Sequence, residues 1–510
     1  MRNLFVLLLA SSALVTACGD DDDSMNGAGD GGAGGSAAGK TSTAGASSAG
    51  KTGSAGAGAG AAQGGTAGES TGGEAGASAG AGGSAADSKT FTVTLENIAA
   101  VKRFTSGGVF NTPVEAAAPG ALKPGHSYEF TINAGRKQKL SFATMLAATN
   151  DLFFAPDGDG IALYDQNGDP ISGFVTDQIY LWDAGTEVNE EPAVGPNTVT
   201  NQAAPNTGVA EHGNVRKIGD VTTDTFDYPT PADVMTVSVT HTTGTEFKVT
   251  IMNVSSDMAL MTSLGDKPAP LSPGVWVVHN GQNPLFTEGM PDFAEGLESV
   301  AEDGNPTGLG AFIAQNSGIT YPASPGAWVV HKAGSMPLFT TGQADYGNGI
   351  EHIAEDGNPT ALGASLPDLN GFVAGAVFNM PVGSDAPGPI LPGKKYQFSF
   401  KASPGDAFSF ASMLAATNDV FFAPGQNGIE LFDAEHKPIS GDISDQVSLW
   451  DAGTEANEEP GIGPNTVTNQ LAPDTGAPGE DVVQLLSDVP GDDYPYPAAD
   501  AVLKVTISAD

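Results

Sequence analysis

Apolar and polar residues alternate strictly in two well-separated stretches, Phe91-Thr-Val-Thr-Leu95 and Phe247-Lys-Val-Thr-Ile251. Period-two alternation puts one set of side chains on one face and predicts half-buried β-strands. By the same pattern, Met235-Thr-Val-Ser-Val239 and Val502-Leu-Lys-Val-Thr-Ile507 read as closing strands. Between them lie short apolar runs separated by Gly, Pro, Asn and Asp. Tyr164-Asp-Gln-Asn-Gly-Asp-Pro170 carries an Asn-Gly pair suited to a tight hairpin. Many short strands with frequent turn signals predict antiparallel β-sandwiches, an all-β class with a minor α component. The helical part is confined to two amphipathic stretches. Phe293, Leu297 and Val300 share one helical face, as do Ile350 and Ile353, and Gly304 and Gly357 are placed to stop those helices.

The pattern is duplicated. Ser141-Phe-Ala-Thr-Met-Leu-Ala-Ala-Thr-Asn-Asp-Leu-Phe-Phe-Ala-Pro156 returns as Ser409-Phe-Ala-Ser-Met-Leu-Ala-Ala-Thr-Asn-Asp-Val-Phe-Phe-Ala-Pro424. Leu181-Trp-Asp-Ala-Gly-Thr-Glu187 returns as Leu449-Trp-Asp-Ala-Gly-Thr-Glu455, and Gly108-Val-Phe-Asn-Thr-Pro-Val114 pairs with Gly375-Ala-Val-Phe-Asn-Met-Pro-Val382. A smaller repeat lies inside the second copy. Ser272-Pro-Gly-Val-Trp-Val-Val-His279 is echoed by Ser324-Pro-Gly-Ala-Trp-Val-Val-His331, and each leads into a helix ending Ala-Glu-Asp-Gly-Asn-Pro-Thr. The expected domains are therefore 89–243 and 244–510, the second holding two strand-helix units at 270–315 and 322–366. A second arrangement stays open, in which unit 270–315 packs on the first sandwich and completes it.

The N-terminus reads as an export signal. Arg2 precedes an apolar run from Leu4 to Leu14, shorter than the roughly 20 residues a membrane span needs. Val15-Thr-Ala-Cys18 resembles a lipoprotein cleavage site, and Cys18 is the only cysteine. Residues 1–18 are thus expected to be a signal peptide, with Cys18 lipidated. The protein is expected to be exported and lipid-anchored to the cell envelope, at the outer membrane or cell surface. Residues 19–88 are almost entirely Gly, Ala, Ser and Thr after an acidic patch, Asp20 to Asp23. They have too little apolar surface to offset ordering entropy and are expected to form a disordered tether, spanning roughly 40–50 Å as a flexible coil. The single cysteine leaves no intrachain disulfide to stabilise an exported protein.

The formal charge of the 510-residue chain is −40, from 60 acidic and 20 basic residues. That argues against nucleic acid and anionic lipid as electrostatic partners and suits cations. There is no His-Glu-x-x-His and no Cys/His cluster for zinc chemistry. His279 and His331 end equivalent strands and read as surface or turn residues. The four tryptophans, Trp182, Trp276, Trp328 and Trp450, lie in repeated strands and read as core.

The Ser-Phe-x-x-Met segment before Asn-Asp, the Trp-Asp-Ala-Gly-Thr-acid string and the Ala-Glu-Gly helix together resemble the spondin N-terminal domain of F-spondin, mindin and bacterial exported proteins. The resemblance covers nearly everything beyond the tether. It implies a β-sandwich related to calcium-dependent membrane-binding domains, an adhesion or matrix role without catalysis, and one calcium ion held by loop carboxylates. Carried onto this sequence, the calcium ligands are Asp151, Asp183 and Glu187 in the first copy and Asp419, Asp451 and Glu455 in the second. Asp183 and Glu187 lie four apart around Gly185, so a turn can aim both at one point. The family usually carries Asp where Glu187 and Glu455 stand. This chain also lacks the animal domain's disulfide cysteines and any thrombospondin-type repeat.

These readings converge on a calcium-binding adhesion or binding protein, not an enzyme, whose partner is an extracellular protein, glycan or matrix component. Two alternatives remain open at this point: a structural envelope or matrix protein without a specific ligand, and a glycan-active hydrolase.

Overall fold

The computed structural model describes residues 88–510 apart from Asp224. The expected signal peptide, Cys18 and nearly all of the expected 19–88 tether lie outside the described residues. The chain begins with β1 (Lys89–Asn97), β2 (Ser106–Phe110), β3 (Ser127–Asn133), β4 (Lys139–Leu146) and β5 (Leu152–Pro156). Then come β6 (Ile161–Ala162), β7 (Gly173–Phe174), β8 (Ile179–Asp183), β9 (Arg216–Lys217) and the single turn α1 (Pro231–Val234). The middle holds β10 (Met235–Thr243), β11 (Glu246–Asn253), β12 (Leu271–His279), α2 (Leu297–Asp303) and α3 (Thr307–Asn316). Next are β13 (Ala323–Lys332), α4 (Ile350–Asp356), α5 (Thr360–Ser365), β14 (Phe372–Phe378), β15 (Lys395–Ala402) and β16 (Asp406–Leu414). The last are β17 (Val420–Pro424), β18 (Ile429–Glu430), β19 (Gly441–Asp442), β20 (Val447–Asp451), β21 (Gln484–Leu485), α6 (Ala499–Val502) and β22 (Leu503–Ala509).

These strands make two antiparallel sandwiches. The first pairs the sheet β3-β11-β10-β7 with the sheet β2-β12-β4-β5-β8-β9; the second pairs β15-β1-β22-β19 with β14-β13-β16-β17-β20-β21. The expected boundary at 243/244 is overturned by the strand pairing. β1, the first strand in sequence, lies between β15 and β22, with Val93 opposite Phe398 and Ile507. The first sandwich takes β11 in the equivalent place, with Val249 opposite Phe130 and Val239. It also takes β12, which pairs with β2 and β4, so the unit 270–315 completes the first sandwich. The first sandwich is therefore built from residues after β1 and inserted as a block between β1 and β13.

The physical reason is the near-identity of these two interior strands. Phe91, Val93 and Leu95 present the same inward face as Phe247, Val249 and Ile251, and all six are buried. Each strand also ends in a buried asparagine that fixes the next segments. The Asn97 amide donates to the Tyr321 and Ile390 carbonyls at 2.8 and 2.9 Å, and the Asn253 amide to Leu122 and Ala269 at 3.0 and 2.8 Å. Local sequence thus fits either sandwich, and chain connection decides which one is filled.

Between the sheets of the first sandwich lie Tyr128, Phe142, Phe154, Phe247 and Ile251; between those of the second lie Phe91, Tyr396, Phe408, Phe410 and Ile507. The helices add a third layer. Leu297, Val300, Leu309 and Ile313 cover Val275, Val277 and Trp182 on the outer face of the larger first sheet, and Ile350, Ile353 and Leu362 cover Val329 and Trp450 in the second. Each strand-helix unit holds two short helices rather than one. Gly304 and Gly357 end α2 and α4 at φ of 61° and 64°, a conformation that favours glycine. Two connections join the sandwiches, residues 98–105 and 317–322, and they run side by side. Phe104 forms a parallel bridge to Ser317, and the Lys102 amide donates to Thr320 Oγ1 at 2.8 Å.

β13 crosses the centre of the second sandwich, where close approach demands glycine. A Cβ at Gly326 would lie 2.1 Å from the Ala411 carbonyl oxygen and 2.5 Å from the Phe378 ring. Gly326→Ala is expected to destabilise the second sandwich by about 1–3 kcal/mol, as overpacking does. In calorimetry, the transition of that sandwich should move down while that of the first stays in place.

Candidate metal centre

The two Trp-Asp-Ala-Gly-Thr-Glu strings form β8 and β20 and the tight turns that follow them. In each, the aspartate after Trp ends a central strand and sits beside an aspartate from the neighbouring hairpin, Asp151 or Asp419. All four are buried. Asp151 accepts hydrogen bonds from the backbone of Thr186 and Glu187, both at 3.0 Å, and from Thr186 Oγ1 at 2.8 Å. Asp419 accepts the same three from Thr454 and Glu455, at 2.9, 2.8 and 3.0 Å. The turn thus wraps around a buried carboxylate. Burial, and then the neighbouring Asp183 or Asp451, push Asp151 and Asp419 well above the usual carboxylate range. Burial likewise raises Asp183, and raises Asp451 to about 7.

The third predicted ligand behaves differently. Glu187 turns its carboxylate to the Asn150 amide at 3.1 Å and the Gly208 backbone at 2.7 Å. Glu455 does the same with Asn418 and Gly476, at 3.1 and 2.6 Å. Asp151 and Asp183 are therefore brought together, whereas Glu187 closes a loop beside them. In the second copy Glu455 keeps one face on a 210 Å³ pocket that it lines with Asp451, Asn457, Glu480, Asp492 and Tyr494.

Several residues around the site carry no motif that marks them in the sequence. Glu302 of α2 and Glu355 of α4 approach the two turns from the helical layer, each almost fully buried with Oε2 lacking a hydrogen-bond partner. Burial first, eased by the nearby Thr186 or Thr454, raises Glu302 to about 7 and Glu355 to about 8. Their signal is the recurring Ala-Glu-Asp-Gly-Asn-Pro-Thr, which reads only as a helix end until the helices are placed.

The larger surprise is an asymmetry between copies. Across β8 and β9, Asp183 faces Arg216; across β20 and β21, Asp451 faces Gln484. Arg216 sits 3.1 Å from Asp183 Oδ2 and 2.6 Å from Glu211 Oε1, so the first site carries its own cation. Asp151, Asp183 and Glu211 nonetheless offer oxygens within 4.8 Å of one another. Among the described residues, no guanidinium takes that place in the second site. Asn457 Nδ2 donates to both Asp451 Oδ2 at 2.6 Å and Asp492 Oδ2 at 2.9 Å. That double donation fixes the amide orientation and leaves Asn457 Oδ1 buried without a partner. Carboxylates and an amide oxygen are hard-oxygen donors.

The two recurring histidines depart from expectation. His279 and His331 are buried, not at the surface, and each places Nε2 3.0 Å from a strand serine, Ser141 or Ser409. Burial lowers His279 to about 4, so it is neutral in the core. Gly160 packs closely against this pair, where a Cβ would lie 2.8 Å from His279 Nε2 and from Ser141 Oγ. Three of the tryptophans are buried core residues, as expected, while the partly buried Trp276 stacks on Phe130 at 5.5 Å. Among the described residues, no helix is long and apolar enough to cross a membrane. No protein-family model matches the chain, and no curated protein matches it.

Proposed function

We propose that this chain is an exported, Cys18-anchored binding protein that presents two spondin-like sandwiches, with calcium held in the second. The reading rests on the tandem duplication, the Trp-Asp-Ala-Gly-Thr-Glu strings and the hard-oxygen donors gathered behind them. One observation carries it: Asp451 and Asp492 converge on the single Asn457 amide in an acidic pocket, while Asn457 Oδ1 is left buried without a partner. Asp419, Asp451, Glu455, Asn457 and Asp492 would hold the ion. Calcium there supplies the positive charge that lets these buried carboxylates ionise together. In the first sandwich Arg216 supplies that charge internally, so Asp151, Asp183 and Glu187 bind calcium weakly. The net charge of −40 directs the binding face toward a protein, glycan or matrix component rather than nucleic acid.

Exchanging the facing residues tests this directly. Titration calorimetry of the full chain should show one tight calcium site. Gln484→Arg should remove it by bringing a guanidinium onto Asp451, and Arg216→Gln should add a second. Calcium binding that ignores both substitutions counts against the reading. For the binding role, retention on an array of glycans and matrix proteins should require calcium and be lost in Gln484→Arg.

A further inference from the structure

The second sandwich carries another group of potential ligands on its outer surface. His352 and Asp356 lie four apart on α4, hence on one helical face, and Asp474 reaches them from the loop after the Glu455 turn. One ligand atom from each lies within 4.8 Å of the others, and Asp474 is equally close to Glu351 and Glu355. Glu355, 3% exposed, belongs to that second trio and has a buried Oε2 without a partner, as does its counterpart Glu302 in the first sandwich. Asp345, close enough to feel the charge of His352, also has a buried oxygen without a partner, as does its counterpart Asp292 in the first sandwich.

The first sandwich shows what the same framework does without such a cluster. Asn206 occupies the place of Asp474, with the same left-handed backbone, φ 54° against 55°. Its amide donates to Glu298 Oε1 at 2.9 Å, and its backbone approaches Asp303 at 3.4 Å, so an amide ties the loop to α2. Ser299 stands where α4 has His352. In both copies a glutamine, Gln202 or Gln470, donates to the last helical aspartate, at 3.0 and 2.9 Å. Two substitutions thus convert a neutral amide tie into an imidazole and a carboxylate facing further carboxylates. Gln470 still ties the second loop to α4, and a bound cation would offset the charge gathered beside it.

The geometry points to a zinc-class divalent cation bound by His352, Asp356 and Asp474, in the second sandwich alone. Imidazole with two carboxylates suits zinc, cobalt or nickel better than calcium, and three protein ligands leave a position for water. The cation ties the 470–478 loop to α4, the task that Asn206 performs in the first copy. This site does not depend on the calcium reading, because it uses none of the calcium ligands proposed above.

Cobalt titration of the full chain in excess calcium tests the assignment. A visible absorption band should saturate at one cobalt per chain and be displaced by zinc. His352→Ser and Asp474→Asn, which restore the residues of the first copy, should each weaken cobalt binding by roughly 100-fold, at least what losing a ligand's supporting partner costs. Calcium binding should be unchanged in both variants, so failure here is distinct from failure of the calcium site. The reverse transplant, Ser299→His with Asn206→Asp, should raise the stoichiometry to two. A band that survives His352→Ser, or no band in a folded wild-type chain, overturns the proposal.

Discussion

Phe91→Ala should destabilise the second sandwich by about 3–5 kcal/mol and leave the first nearly unchanged, although residue 91 precedes the first sandwich in the chain. The Phe91 ring is fully buried, stacked on Phe400 at 5.8 Å and edge-on to Phe432 at 5.4 Å. Truncation leaves a cavity between β1, β15 and the facing sheet that close-packed neighbours cannot fill. Phe247→Ala is the matched control. Its ring packs edge-on to Tyr164 at 5.4 Å in the first sandwich, so the same loss should fall there. Hydrogen exchange reads the difference. The Phe91 variant should lose protection in β15 and β22, and the Phe247 variant in β3 and β10. The opposite assignment would mean that each sandwich is built from contiguous sequence.

The second large effect concerns pH and calcium. Burial raises Glu355 from its ordinary 4.5 to about 8 and Asp451 from 3.8 to about 7. The folded second sandwich therefore keeps protons that the unfolded chain has released. The associated stability is fully present below about pH 4 and is lost as pH rises toward 8, each retained proton costing up to about 1.4 kcal/mol for every pH unit crossed. In chelator, the melting temperature of the second sandwich should fall across that window. Saturating calcium should flatten the fall, because the ion favours the ionised carboxylates. Asp419→Asn provides the check. The asparagine oxygen can accept from the Thr454 and Glu455 amides while its nitrogen donates to Thr454 Oγ1, so the turn is kept and one buried charge is removed. This variant should melt higher than wild type in chelator at pH 8 and gain little from calcium. A wild-type melting curve unaffected by both pH and calcium would contradict the electrostatic account.

How much of this was legible in sequence depends on the range of the interaction involved. The strands at Phe91–Leu95, Phe247–Ile251 and Met235–Val239 follow from local alternation, and the sandwich class follows from their spacing. The helix stops at Gly304 and Gly357 were equally readable. Assignment of β1 and β11 was not, because the two segments present the same apolar face and the same terminal asparagine. Pairing with distant segments separates them: β1 with β15 and β22, and Asn97 with Tyr321 and Ile390. The acids of the Trp-Asp-Ala-Gly-Thr-Glu strings were visible as a pair of candidate sites. Their inequality was not, since Arg216 and Gln484 lie in two-residue strands without a pattern. Glu302 and Glu355 were hidden for a different reason. They enter the sites from helices whose docking depends on which sandwich each strand-helix unit completes.

Diffraction from crystals of the chain grown in calcium, with data collected to bring out anomalous scattering, addresses the metal centre most directly. The expected result is one calcium peak within bonding distance of Asp451 and Asp492, with the Asn457 amide turned so that Oδ1 takes the place of Nδ2 at the ion, and the Arg216 guanidinium filling the matching place in the first sandwich. Ordered density for those side chains with only water between them, in saturating calcium, would contradict it.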